Sequence, residues 1–86
     1  MRRKIVAGNW KMNNGLKEST GLVKEIIKKN NSYNCEVYVA PAFPFLNDVS
    51  VISNSSQIKV LAQNVSSKSN GAFKGEVTIQ MLKSIN

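Results

Sequence analysis

Short apolar runs at Ile5 to Gly8, Val37 to Ala40 and Ile58 to Ala62 alternate with stretches of helical period, and this alternation leaves the chain few folds to choose from. A run of four or five apolar residues bounded by turn residues reads as a strand buried on both faces. Such strands, separated by amphipathic helices, build a parallel sheet in an α/β fold.

The helical stretches support this reading. From Leu16 to Lys29, Leu16, Val23 and Ile27 share one face, and Leu22 and Ile26 widen it. Lys17, Glu18, Lys24, Glu25 and Lys28 fill the other side, with Glu25 four residues before Lys29 in the favourable order. Gly21 weakens the helix slightly. The turn cluster Asn13, Asn14 and Gly15 precedes it, and the run NNSYN is expected to end it. Pro41 cuts the second strand, and Pro44 opens a shorter helix whose apolar stripe is Phe45, Leu46, Val49 and Ile52. After the third strand comes a long loop, QNVSSKSNGAFKGE, and Thr78 caps a last helical segment. The order is β-α-β-α-β-loop-α.

Length and charge bound the rest. The chain has 86 residues, the size of one small domain, and 42% of them are hydrophobic. Twelve Lys and Arg against five Asp and Glu give a net charge of +7. That balance permits phosphate, nucleic-acid or anionic-surface binding without requiring any of them. The basic residues are spread along the sequence, and no nucleic-acid recognition motif occurs, so no nucleic-acid partner is expected. There is no histidine and one cysteine, so neither a metal cluster nor an internal disulfide is expected. Cys35 is expected to be a small buried residue at a strand start. No apolar run approaches membrane-spanning length, and the run behind MRRK is too short for a signal peptide, so a cytoplasmic location is expected.

Each polar cluster of interest follows the C-terminal end of a strand: Asn9 and Lys11, then the Pro41 to Pro44 turn, then Gln63 and Asn64. That edge binds ligands in open α/β sheets and in closed α/β barrels. A lysine there is a compact point charge on a flexible stem, and Asn9 adds an amide donor beside it. Together they suit a phosphate, or charge developing on an oxygen. On spacing alone, a solvated surface lysine is the commoner reading. Gln63 and Asn64 either cross-link neighbouring strand ends or cap the loop that they begin.

Four blocks, AGNWKMN at 7–13, APAFPFL at 40–46, QIKVLAQNVS at 57–66 and GAFKGEV at 71–77, resemble the triosephosphate isomerase family in order and spacing. The resemblance runs from the first strand to the end of the chain. It implies a TIM (β/α)8 barrel, a fold that takes about 250 residues. These 86 residues would supply its first three βα units and the start of a fourth, as the N-terminal portion of one domain with no separate second domain. It also implies interconversion of dihydroxyacetone phosphate and glyceraldehyde 3-phosphate through an enediolate, without a cofactor, in a homodimer. Lys11 would be the electrophile and Asn9 part of the substrate site. Gln63 and Asn64 would support them from behind, and Trp10 would pack behind the loop. Gly71, Phe73, Lys74, Gly75 and Glu76 would lie in a loop that reaches a partner subunit.

The family's carboxylate base, imidazole and closing loop lie in later βα units, so the chain by itself is expected to be inactive. Glu76 is implied to be structural, and Asp48 and Glu36 lie far from Lys11 in chain order, so no general base is in reach. Lys74 departs from the family pattern, which has a threonine after the phenylalanine. Three parallel strands also leave two open edges, which are templates for pairing, so the chain is expected to fold poorly alone. A competing reading is a non-enzymatic α/β module that binds a phosphorylated metabolite through Lys11.

Overall fold

A computed structural model describes residues 3–29 and 35–85. Strand β1 spans Lys4–Asn9, helix α1 Leu16–Lys29, strand β2 Cys35–Ala40, helix α2 Leu46–Ser53, strand β3 Ile58–Val60 and helix α3 Ile79–Ser84. A single 3-10 turn, Phe43–Phe45, leads into α2 and carries Pro44 near its start, where a missing N–H leaves nothing unpaired. The strands form one parallel sheet in the order β1-β2-β3, with Val6 beside Val37 and Val39 beside Val60. This is the alternating βα arrangement read from the sequence, and it is that of the opening units of a TIM barrel.

Period-two alternation divides the sheet into two unlike faces. Val37, Val39, Ile58 and Val60 turn toward the helices. Val23 of α1 and Val49 of α2 meet Val39 and Ile58 in the core, and Trp10, Ile26, Ile27 and Ile52 pack around them. The opposite face carries Glu36, Tyr38 and Lys59. Glu36 lies 3.5 Å from Arg3 and 3.4 Å from Lys59, and the Lys59 ammonium sits 5.9 Å from the centre of the Tyr38 ring. These pairs are open to solvent and screened, so they mark the face more than they stabilise it.

Several details depart from the sequence reading. β1 was expected to be buried on both faces, yet all six of its residues are exposed, with Ile5 and Val6 each more than half accessible. Among the described residues it is one of two edge strands, paired only with β2, and the helices pack over β2 and β3. Cys35 is half-buried because it opens β2 beside the exposed Lys4. β3 ends at Val60, two residues earlier than expected, although the Leu61 N–H still donates to the Val39 carbonyl at 2.8 Å. On α1 the packed row runs through Ser19, Val23, Ile26 and Ile27, while Leu16 and Leu22 stay exposed. The residues expected to end α1, from Asn30 to Asn34, lie outside the described residues. The expected cap of α3 is present: Thr78 Oγ1 accepts from the Met81 N–H at 3.1 Å.

Ser19 is the one side chain in this core that chemistry disfavours. It is fully buried, and its hydroxyl has no hydrogen-bond partner among the described residues. An unpaired buried hydroxyl costs about 1–3 kcal/mol. Ser19→Ala removes that cost and improves helix propensity, so it is expected to stabilise the chain by about 1 kcal/mol. Val49→Ala empties the centre of the core and is expected to destabilise it by about 2 kcal/mol. Urea titration followed by far-ultraviolet circular dichroism, with these residues carried in a complete barrel that folds cooperatively, reads both, and midpoints that move in opposite directions meet the expectation.

Candidate functional site

The chain leaves β1 through an irregular segment held by its own side chains. The Lys11 N–H donates to Asn9 Oδ1 at 2.8 Å, and Asn13 Nδ2 donates to the Trp10 carbonyl at 2.9 Å. Lys11 and Asn14 both have positive φ, 55° and 72°. For a residue with a Cβ this left-handed conformation costs about 1–2 kcal/mol, and asparagine tolerates it far better than lysine. The segment ends where Gly15 N–H donates to Glu18 Oε1 at 3.0 Å, closing the first turn of α1.

The ends of β2 and β3 meet this segment. Ala40 closes β2, and Pro41 after it holds the backbone extended. The Ala40 carbonyl accepts from the Trp10 N–H at 3.0 Å. Gln63, three residues past β3, donates from Nε2 to the Ala40 carbonyl at 2.8 Å and to the Lys11 carbonyl at 2.9 Å. One side-chain nitrogen therefore joins the ends of all three strands. Trp10 packs its ring against the core behind the segment.

The Lys11 side chain projects into solvent, and its ammonium has no ion-pair partner among the described residues. Asn9 engages the Lys11 backbone through its oxygen, and that contact does not use the two N–H bonds of its amide.

The structure brings Asn9, Lys11 and Gln63 together but leaves Asn64 apart. Asn64 is exposed, and its Oδ1 accepts from the adjacent Val65 N–H at 2.8 Å, so it caps the loop instead of linking strands. Gly71 to Glu76 lie in a separate loop whose neck is closed by a bond from the Ser66 N–H to the Val77 carbonyl at 2.7 Å. Gly71 and Gly75 have φ of 142° and 74°, which side chains with a Cβ rarely adopt, and the Phe73 ring occupies the space that a Gly71 Cβ would need. Phe73 is half exposed, and Lys74 and Glu76 are open to solvent. The Ala40 carbonyl is the part of the site that side-chain reading missed. A backbone acceptor leaves no composition signal, and the only available pointer was the proline that follows it.

A cleft of about 280 Å³ lies elsewhere, lined by Ser50, Ser53, Asn54, Ser56 and all of β3. It runs along β3, and none of Asn9, Lys11 and Gln63 lines it. Among the described residues no group of three His, Cys, Asp or Glu side chains could hold a metal ion, and no helix is long and apolar enough to cross a membrane.

Comparison with known proteins bears on the family. The family described as "Triosephosphate isomerase" matches residues 4–86. A triosephosphate isomerase of Clostridium tetani is 45% identical over 86 residues, covering 100% of this chain and 34% of the relative. One of Chlorobium phaeobacteroides is 41% identical, covering 99% and 35%, and one of Prosthecochloris aestuarii is 45% identical, covering 95% and 33%. The chain thus spans about a third of the length of the curated relatives that it matches. A parallel βα sheet matched almost from end to end by a single family leaves one assignment: the chain belongs to the triosephosphate isomerase family.

Proposed function

We propose that these residues form the N-terminal βα units of a triose-phosphate isomerase, and that Lys11 is its electrophile. The observation that carries the proposal is the exposed Lys11 at the strand ends, with Asn9 bonded to its backbone N–H. Proton abstraction next to a carbonyl builds negative charge on the carbonyl oxygen. A preorganised cation beside that oxygen lowers the barrier, because it needs no rearrangement as the charge appears. The same ammonium draws in the anionic phosphate ester. Asn9 donates to the substrate from its amide hydrogens, which its contact with the Lys11 N–H does not use.

Within this reading the base and the proton shuttle between the two oxygens come from outside these 86 residues, which contain no histidine. Glu76 lies beyond the closed neck of the 66–77 loop, and Glu36 takes part in ion pairs toward the start of the sheet. The loop from Gly71 to Glu76 meets a second subunit in a homodimer, with Phe73 as its apolar contact. A cytoplasmic location belongs to the same reading.

The test joins the 86 residues to the remaining two-thirds of the Clostridium tetani relative and follows isomerisation of glyceraldehyde 3-phosphate. The chimera is expected to turn over, and the 86-residue chain by itself is expected to show no rate above background. In the chimera, Lys11→Ala is expected to lower kcat by about a hundredfold or more, on the scale of losing one preorganised charge contact. Lys11→Arg is expected to recover only part of it, because a planar fork does not replace a point charge. A near-normal rate for Lys11→Ala would refute the role.

Lys74 bears on the dimer. In the proposed dimer its ammonium points toward the partner's site, which already holds a lysine. Like charges at close range in a partly dry interface cost about 1 kcal/mol or more. Lys74→Thr in the chimera is therefore expected to tighten the dimer and reduce its salt sensitivity, as read by sedimentation over a range of protein and salt concentrations.

A further inference from the structure

We infer that Glu36 and Lys59 form a buried ion pair inside the closed barrel, and that each is tolerated there only because the other is present. The inference rests on the reading of these residues as the opening units of a barrel, and it concerns the sheet face turned away from the helices.

Helices α1 and α2 cover the face that carries Val37, Val39, Ile58 and Val60. Period-two alternation turns Glu36, Tyr38 and Lys59 the other way. On that face Ile5 and Ala7 of β1 stand beside Glu36 and Tyr38, and Tyr38 stands beside Lys59. In a (β/α)8 barrel the helices form the outer ring, so this second face becomes the interior, which branched apolar side chains ordinarily fill. Ile5 and Ala7 suit such an interior. An acid and a base do not, because a charge enclosed without a partner is costly.

The geometry supplies the partner. Lys59 Nζ lies 3.4 Å from Glu36 Oε1 and 5.9 Å from the centre of the Tyr38 ring. Lys59 stands one same-face step further along the sheet than Glu36, so its stem reaches back toward the strand starts to meet the carboxylate. In the three-stranded sheet water weakens this attraction, since the Lys59 side chain is 58% exposed. Closing the barrel removes that water. The attraction then strengthens, and so does the penalty for losing either member. Arg3 approaches the same oxygen at 3.5 Å, but its side chain is 80% exposed just before β1, at the rim, so it does not replace Lys59.

Breaking an enclosed pair costs far more than replacing both members by neutral groups, whereas a surface pair shows no such asymmetry. The test is a double-variant cycle in the chimera, read by urea titration. Glu36→Gln and Lys59→Met each leave one charge enclosed, and each is expected to lower the folding equilibrium constant about a hundredfold or more. The variant with both changes is expected to return to within about tenfold of the unsubstituted chimera. Arg3→Gln is the exposed control and is expected to shift the constant less than about fivefold. Single effects that simply add in the double variant overturn the inference, and so does a crystal structure of the chimera with Glu36 and Lys59 open to solvent. If a single variant gives no folded protein, a double variant that folds supports the pair, and one that folds no better overturns it. An unsubstituted chimera that folds without turning over counts against the proposed isomerase, and the cycle still reads the pair.

Discussion

The Ala40 carbonyl accepts two hydrogen bonds, from the Trp10 N–H and from Gln63 Nε2, and the arrangement of the strand ends depends on that double contact. The first bond sets where the chain goes as it leaves β1. The second brings the segment beyond β3 back to the centre of the sheet. Between them they enclose Lys11, whose own carbonyl is bonded to the same glutamine. Parallel pairing alone would align the three strands and leave their ends free. The carbonyl and the amide turn three neighbouring ends into one rigid ledge, and the charged side chain stands on it.

The sheet below that ledge is asymmetric in a way that matters for function. One face is filled by Val39 and Ile58 against Val23 and Val49, and it supplies the hydrophobic stabilisation. The other carries Glu36, Tyr38 and Lys59 together with the exposed Ile5. The stability of the chain therefore comes from one side of three strands, two of them at open edges. Relatives in the family are about three times as long, and a barrel fold pairs every strand on both edges.

Much of the fold was legible because it rests on local rules. The bounds of α1 match the change of period at Leu16 and Lys29, and the cap at Thr78 follows from a hydroxyl placed just before an apolar run. Pro44 opened a 3-10 turn leading into a helix, as its fixed φ requires. Burial was less legible. Ile5 to Gly8 has the composition of a central strand but lies at an edge, and Leu16 and Leu22 sit on α1 without facing the core. Composition records how apolar a residue is, but not whether a neighbour arrives to cover it.

The sequence by itself determined the α/β class, the order of the elements, the family, and the candidacy of Asn9, Lys11 and Gln63, because each of these is written in side-chain type and spacing. Only the tertiary structure decided how those candidates are used. It separated Gln63 from Asn64, although the two are adjacent and chemically alike, because only the first reaches carbonyls on two other segments. It also placed Lys11 in the left-handed region and made a backbone oxygen of Ala40 part of the site. The physical reason is common to all of these: backbone carbonyls are the same in every residue, so which of them an amide reaches depends on where the folded chain brings them together.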